Sequence, residues 1–157
     1  GRLDDGLLRE LLRHPFFRRR PPRSTGREMF GGRFIDSILA KGGALRLSEQ
    51  DLLATATELT AASIEAAVRR FVMPQAAIRR MILCGGGARN TFLVHRLQER
   101  LAEVNVVGSS AHGVPEQAVE AVSFALLAYA TMQRVPGNVP AATGAKKAVV
   151  LGVIAGG

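Results

Sequence analysis

The most constraining feature of this 157-residue sequence is a short apolar run that ends in three consecutive glycines. The run extends from Met81 to Cys84, and an unbroken apolar stretch of this length is typical of a strand buried on both faces. Gly85–Gly87 follows, and Asn90 stands where its side chain can cap a helix from Thr91 to Leu101. The segment therefore predicts a strand that turns through glycines into a helix.

A second strand and a second helix are expected further along the chain. Val104 to Val107 repeats the pattern of a buried strand, and Pro115 suits the first turn of a long apolar helix that reaches about Met132. This order predicts an α/β layered domain with parallel strands. Because two strands make a poor sheet, we expect the domain to be incomplete, with further strands preceding Gly1.

The chain is expected to have two parts. Residues 1–47 form a helical and loop segment, and residues 48–157 form the α/β core, which opens with a helix capped by Ser48 and ending at Pro74. The type of structure in the last apolar run, Ala148 to Ile154, stays open. The elements expected in the first part are a helix that Asp4 and Asp5 cap before Pro15, a loop from Arg18 to Gly32, a short helix from Phe34 to Leu39 and a flexible Lys41–Gly43.

The formal net charge of +8 raises the question of a nucleic-acid partner. Much of the excess lies in one run, Arg13 to Arg23, and the other arginines are spread along helical faces. Aromatic residues do not alternate with the basic ones, as base stacking on a single strand requires. We therefore expect no nucleic-acid binding and a solvated basic surface, although a basic rim around a polyphosphate and an acidic sugar also fits.

Several other site classes are disfavoured. Cys84 is the single cysteine, so an internal disulfide is excluded; a reducing cytoplasm is the expected setting, and Cys84 is expected to be a buried small side chain. The longest apolar run, Ala121 to Ala130, is too short to cross a membrane. The three histidines have no acidic or thiol neighbour at ligand spacing, so they predict no metal site: His14, His95 and His112.

The glycine run is the strongest candidate for a binding site. A buried strand that ends in glycines at a helix start lets a ligand approach the backbone closely, and the helix amides then face it. The alternative is a flexible turn between strand and helix.

Two weaker candidates are Glu120, in a helix of small apolar residues, and the polar loop around Ser24, Thr25 and Arg27. Their alternatives are a first-turn glutamate favoured by the helix dipole and a surface turn with an Arg27–Glu28 pair.

These segments, in this order, resemble the anhydro-N-acetylmuramic acid kinase family. The resemblance rests on four blocks and covers essentially the whole chain. The blocks are Pro21-Pro22-Arg23-Ser24-Thr25-Gly26-Arg27-Glu28, Cys84-Gly85-Gly86-Gly87-Ala88-Arg89-Asn90, Gly113-Val114-Pro115 with Glu120-Ala121, and Pro136-Gly137-Asn138-Val139-Pro140 with Thr143-Gly144-Ala145.

The resemblance implies the carboxy-terminal, nucleotide-binding lobe of an actin-like ATPase (ribonuclease H-like) sugar kinase. Such an enzyme uses ATP and Mg²⁺ to convert 1,6-anhydro-N-acetylmuramic acid to N-acetylmuramic acid 6-phosphate in peptidoglycan recycling, while water opens the anhydro bridge. On the family pattern, Glu120 lies near the sugar, and Ser24, Thr25 and Arg27 belong to an active-site loop. The residues expected against the nucleotide are Gly85, Gly86, Gly87, Ala88 and Asn90.

The sequence also departs from the family pattern. Arg23 stands where a lysine is expected, and Glu116-Gln117 replaces a small residue followed by an aspartate. The family's phosphate segment and its general-base aspartate do not occur in these 157 residues, so no catalytic residue is expected here and the separate chain is expected to be inactive. The alternative is a non-catalytic relative or interaction module. An incomplete lobe would also expose apolar surface and self-associate, for example as a homodimer.

Overall fold

The computed structural model describes residues 1 to 155, which divide into two compact units. The helical unit comprises Gly1–Arg20, Thr25–Met81 and Asn90–Val106. The glycine-turn unit comprises Pro21–Ser24, Ile82–Arg89 and the chain from Val107 onward. The elements are α1 (Asp5–Leu11), α2 (Arg27–Phe30), α3 (Gly32–Ala44), α4 (Glu49–Ala67), β1 (Arg80–Leu83), α5 (Thr91–Arg100), β2 (Asn105–Gly108), α6 (Val119–Met132) and α7 (Pro140–Thr143).

Local capping signals place three helix starts where the sequence predicts them. The Asp4 carboxylate accepts a hydrogen bond from the Leu7 amide at 2.7 Å, which starts α1. Ser48 accepts from the Asp51 amide at 3.1 Å at the start of α4, and Asn90 accepts from the Leu93 amide at 3.1 Å at the start of α5. Each oxygen satisfies an amide that has no partner within its own helix.

The first 47 residues are more helical than predicted. Helix α2 lies inside the expected loop from Arg18 to Gly32, and α3 continues through Lys41–Gly43, where a flexible segment was expected. A Cβ added to the buried Gly42 would overlap the side chain of Leu52 on α4. This glycine therefore allows α3 and α4 to approach closely, and the prediction of flexibility was wrong.

Helix α4 is the centre of the helical unit. It contacts α1, α3 and α5, and it ends in a π-helical turn from Val68 to Val72, close to the predicted end at Pro74. One core cluster contains Leu59 of α4 together with residues of α1 and α3: Leu7, Leu8, Leu11 and Ile38. On the side of α5, the buried apolar residues are Leu97, Leu101, Val104 and Val106. The small residues of α4, such as Ala61, allow this close packing.

A buried ion network joins α4 to α5. Glu58 is 0% exposed, and its two carboxylate oxygens accept hydrogen bonds from Arg96 Nε at 2.6 Å and Arg100 Nε at 2.7 Å. Arg100 also reaches Glu65 at 2.6 Å, and Glu65 accepts from Arg69 Nε at 2.9 Å. The expectation that arginines on helical faces are simply solvated was wrong for Arg96 and Arg100, because they neutralise a buried carboxylate between two helices.

The network makes stability depend on pH. Burial raises the pKa of Glu58, but hydrogen bonds from Arg96 and Arg100 outweigh it, so the pKa lies below its ordinary value of 4.5. Burial also raises the pKa of Glu65, and hydrogen bonds from Arg69 and Arg100 again outweigh it, so this pKa is lowered as well. For lowered carboxylate pKa values, the stabilisation is complete above the unfolded pKa and is lost as pH falls through the folded pKa.

We therefore expect the urea midpoint to fall when the pH is lowered from 7 to 3, with most of the loss below pH 4.5. The midpoint would be measured in the protein encoded by the complete reading frame that contains this chain, called the complete protein below. Glu58→Gln cannot ionise at this position, so its midpoint should change less steeply over the same range. Parallel curves for the two proteins would contradict this assignment.

Strands β1 and β2 pair in a two-stranded parallel sheet, in agreement with the predicted α/β class. The prediction that β1 is buried on both faces was wrong: its residues alternate between exposed and half-buried, and Ile82 is 51% exposed. Cys84 is also exposed, although it was expected to be buried. Within the described chain β1 pairs only with β2, and the face of β1 that carries Arg80 and Ile82 is exposed to solvent.

Helix α6 begins at Val119 and ends at the predicted Met132, so Pro115 does not lie in its first turn as expected. Pro115 instead starts a tight turn in which its carbonyl accepts from the Ala118 amide at 2.8 Å. The next carbonyl, that of Glu116, accepts from Gly85 at 2.8 Å. The regular helical ladder starts two residues later, where the Ala118 carbonyl accepts from the Val122 amide at 2.9 Å.

Several large apolar side chains of α6 are exposed in this structure: Val122, Phe124, Leu126, Tyr129 and Met132. A helix that is apolar on all sides normally lies inside a larger core.

The run from Ala148 to Ile154, whose type stayed open, forms no helix or strand. It is held in part by Asn138, whose side-chain oxygen accepts from the Val149 amide at 2.7 Å. None of the helices in residues 1 to 155 is long and apolar enough to cross a membrane.

Candidate functional site

The glycine turn follows β1 directly and has a defined backbone geometry. Gly85 has φ = +78°, in the left-handed region that favours glycine, and its carbonyl accepts from the Ala88 amide at 3.2 Å. Gly86 to Arg89 then form a single turn of 3₁₀ helix before the Asn90 cap. The turn is therefore a specific structure, not only a flexible connection between strand and helix.

The space beside this turn is open. A Cβ added at Gly85 or Gly86 would meet no described atom within 4 Å. Gly86 has no positive φ, so neither backbone geometry nor packing within the described chain requires a glycine there. Backbone left uncovered at the end of a strand is what a ligand needs for close approach, and in open α/β sheets ligands bind beyond the carboxyl ends of strands. The geometry thus fits the close approach of a phosphate or a flat ring.

Glu116 links the glycine turn to the turn that follows β2. Its carbonyl accepts from the Gly85 amide at 2.8 Å, and its carboxylate Oε1 accepts from the Ser110 hydroxyl at 2.6 Å and the Ser110 amide at 3.1 Å. The Ser110 hydroxyl is the main cause that lowers the pKa of Glu116, with smaller contributions from backbone amides. The sequence singled out residue 116 only as a departure from a family pattern, so its structural role was missed.

Ser109 stands at the same end of β2 and is 6% exposed. Among the atoms of residues 1 to 155, its buried hydroxyl has no hydrogen-bond partner. A buried hydroxyl without a partner costs stability, because water can no longer bind it.

We expect Ser109→Ala in the complete protein to leave the free energy of unfolding unchanged or to raise it by up to about 1 kcal/mol. The measurement is chemical unfolding monitored by circular dichroism, with Ser110→Ala as the matched control. Ser110→Ala removes a hydroxyl that does donate to Glu116, so it should destabilise the protein instead. A clear loss of stability in Ser109→Ala would show that this hydroxyl is bonded in solution.

Glu120, the predicted sugar-binding residue, lies in the first turn of α6 and is exposed. It lies four positions after Glu116, whose carbonyl accepts from the Gly85 amide. The sequence predicted that Glu120 lies one turn into the helix, but Glu120 lies nearer the start because the helix begins at Val119. Ser24, another predicted site residue, also lies in the glycine-turn unit.

The other three predicted site residues lie in the helical unit. Asn90 caps α5 through its side-chain oxygen, so its described contact is structural. Arg27 is the first residue of α2. Thr25 lines an apolar cavity of about 400 Å³, which sequence reasoning missed because its aromatic side chains come from separate segments: Phe16, Phe17, Phe30 and Phe34.

Metal coordination is not apparent in the described residues. Within residues 1 to 155, no three carboxylate, imidazole or thiol groups lie close enough together to hold a metal ion. His95 Nδ1 lies 3.6 Å from a carboxylate oxygen of Glu99, a neighbour that the sequence analysis did not expect, but this pair does not form part of a three-ligand cluster in that range.

Comparison with known proteins gives a match along the chain. The family model described as anhydro-N-acetylmuramic acid kinase matches residues 1–156. The match therefore includes the glycine turn, Glu120 and the loop around Thr25, and it begins at the first residue of the chain.

Curated relatives carry the same description. A protein named anhydro-N-acetylmuramic acid kinase from a Cyanothece species is 44% identical over 146 residues, which cover 93% of this chain and 38% of the relative. Proteins of that name from Caldanaerobacter subterraneus and Salinibacter ruber are 38% and 41% identical over 98% and 97% of this chain. The chain thus spans about two fifths of the length of these relatives.

Proposed function

Since this chain belongs to the anhydro-N-acetylmuramic acid kinase family, we propose that it forms the nucleotide-binding lobe of an ATP-dependent kinase that acts on 1,6-anhydro-N-acetylmuramic acid. The observation that carries the proposal is the family match over residues 1–156. The products would be N-acetylmuramic acid 6-phosphate and ADP, with one water consumed in opening the anhydro bridge. The expected setting is peptidoglycan recycling in the cytoplasm.

From the order of the four sequence blocks we infer that the chain is the carboxy-terminal part of such an enzyme, with the actin-like ATPase fold. The mixed α/β structure with two parallel strands supports a partial domain of that kind. The exposed apolar face of α6 also supports it, because a helix apolar on all sides belongs inside a larger core.

In this proposal the nucleotide lies against the glycine turn. The open space beside Gly85 and Gly86 lets the ligand reach the backbone, where amides of the turn other than those of Gly85 and Ala88 would donate to its oxygens. Gly87, Ala88 and Asn90 complete the predicted contact segment. This chain's part in phosphoryl transfer would be to bind and orient ATP, which is a large share of catalysis in this class of reaction.

Glu120 is proposed to bind the sugar. A carboxylate accepts hydrogen bonds from sugar hydroxyls, and Glu120 is exposed at the start of α6. Ser24, Thr25 and Arg27 are proposed to belong to a loop near the reacting groups. Mg²⁺ would neutralise phosphate charge in the reaction. The described residues contain no cluster of three possible metal ligands, and we propose no Mg²⁺ ligand among them.

A product assay tests the function directly. The complete protein would be incubated with Mg-ATP and 1,6-anhydro-N-acetylmuramic acid, and the sugar phosphate sought by mass spectrometry. We expect N-acetylmuramic acid 6-phosphate and an equal amount of ADP, with one oxygen from ¹⁸O-labelled water in the sugar. N-acetylmuramic acid, which lacks the anhydro bridge, is the matched substrate control. A folded protein that binds ATP and phosphorylates neither sugar would overturn the substrate assignment.

A further inference from the structure

Glu116 makes two kinds of contact that connect different segments of the glycine-turn unit. Its main-chain carbonyl accepts from the Gly85 amide at 2.8 Å, and its carboxylate accepts from the hydroxyl and the amide of Ser110 at 2.6 Å and 3.1 Å. One residue therefore bonds to the chain just after β1 and to the chain just after β2. The side chain fixes where residue 116 lies, and its carbonyl then fixes where the Gly85 amide lies.

Two further observations show that this linkage is closely fitted. A Cβ added at Gly108, the last residue of β2, would overlap the Glu116 carboxylate, so the carboxylate packs directly on the strand end. The turn from Ser109 to His112 closes with Gly113 at φ = +82°, so the backbone around Ser110 is also specifically shaped. The carboxylate is therefore held between two defined backbone segments.

We propose that Glu116 is a positioning residue for the nucleotide: through Ser110 and Gly85 it holds the glycine turn in the conformation that receives ATP. This inference rests on the proposed function, because it assumes that the glycine turn binds ATP. Glu116 makes no contact with ATP in this proposal. It acts by fixing the backbone at Gly85, whose amide is held by the Glu116 carbonyl, and a small displacement of the glycine turn weakens ligand binding.

The test measures ATP binding by calorimetry and steady-state kinetics in the complete protein. We expect Glu116→Ala to raise the Kd and the KM for ATP by about three- to ten-fold, the effect of losing one or two net hydrogen bonds. The kcat and the KM for the sugar should change by less than about two-fold. Glu116→Gln keeps an acceptor oxygen for the Ser110 amide and should restore most of the ATP affinity.

Ser110→Ala gives an independent arm, because it removes the 2.6 Å hydrogen bond and leaves the carboxylate in place. It should raise the Kd for ATP in the same direction, and the double variant should be no worse than Glu116→Ala alone. If Glu116→Ala does not fold, the comparison of Ser110→Ala with the unsubstituted protein still decides the question. Glu10→Ala, which removes an exposed carboxylate paired with Lys41, is the matched control.

The outcomes separate this inference from the function on which it rests. If the unsubstituted protein does not bind ATP, the proposed function fails. If it binds ATP and neither Glu116→Ala nor Ser110→Ala alters the affinity, Glu116 is not a positioning residue. Equal losses in the affinities for ATP and sugar, together with a lower melting temperature, would assign Glu116 a role in stability alone.

Discussion

Glu58→Ala is expected to lower the free energy of unfolding of the complete protein by about 3–5 kcal/mol, the usual cost of breaking a buried ion pair from one side. Glu58 is 0% exposed and accepts hydrogen bonds from both Arg96 and Arg100. Alanine would remove the buried carboxylate that these two guanidinium groups share between α4 and α5, and it would leave Arg100 with Glu65 and Arg96 with Glu99. Chemical unfolding at pH 7, followed by circular dichroism, measures the loss.

The chain offers a matched control for this prediction. Glu103→Ala also removes a carboxylate bonded to an arginine, Arg69, but Glu103 is exposed. Exposed ion pairs contribute about 0–1 kcal/mol, so its effect should be much smaller. Similar losses in the two variants would contradict the conclusion that burial makes Glu58 important.

Gly86→Val is expected to weaken ATP binding by about 100-fold or more, because its branched side chain would occupy the space that the nucleotide needs. The variant is informative because a Cβ at this position meets no described atom and the backbone is not in the left-handed region. The protein should therefore keep its fold while it loses the ligand. Calorimetric titration with ATP, together with a thermal melt, measures both quantities.

Gly43→Val is the control for this experiment. Gly43 is also a glycine around which an added Cβ meets nothing within 4 Å, but it lies in α3 and is not a predicted site residue. It should bind ATP with unchanged affinity. A folded Gly86→Val protein with the same ATP affinity would remove the glycine turn from the nucleotide site.

The sequence predicted those features that depend on neighbouring residues. Ser48 and Asn90 cap helices because each side chain bonds to an amide three residues later, an interaction visible in the local sequence. The order of strand, glycine turn and helix was predicted for the same reason. The α/β class follows from this order, and both strands are present.

Features that depend on distant packing were not predictable. Gly42 was interpreted as flexible, since nothing in the sequence indicates that Leu52 lies against it. Glu58 resembles an ordinary helix-surface glutamate until α5 brings two arginines to it. The family resemblance points to the glycine turn and Glu120, whose binding roles are proposals, but not to the contacts of Glu116, because the Glu116 carbonyl bonds to Gly85 across 31 positions of the chain.

The buried network between α4 and α5 also constrains how this protein can diverge over generations. A mutation that replaces Arg96 or Arg100 first leaves Glu58 with an incomplete set of partners, and a mutation of Glu58 first removes the buried carboxylate that the two cations share. Either single step lowers stability, whereas exchange of the whole set for apolar residues is often tolerated. We therefore expect these three positions to show strong epistasis, and descendants to keep all three charges or to lose them together.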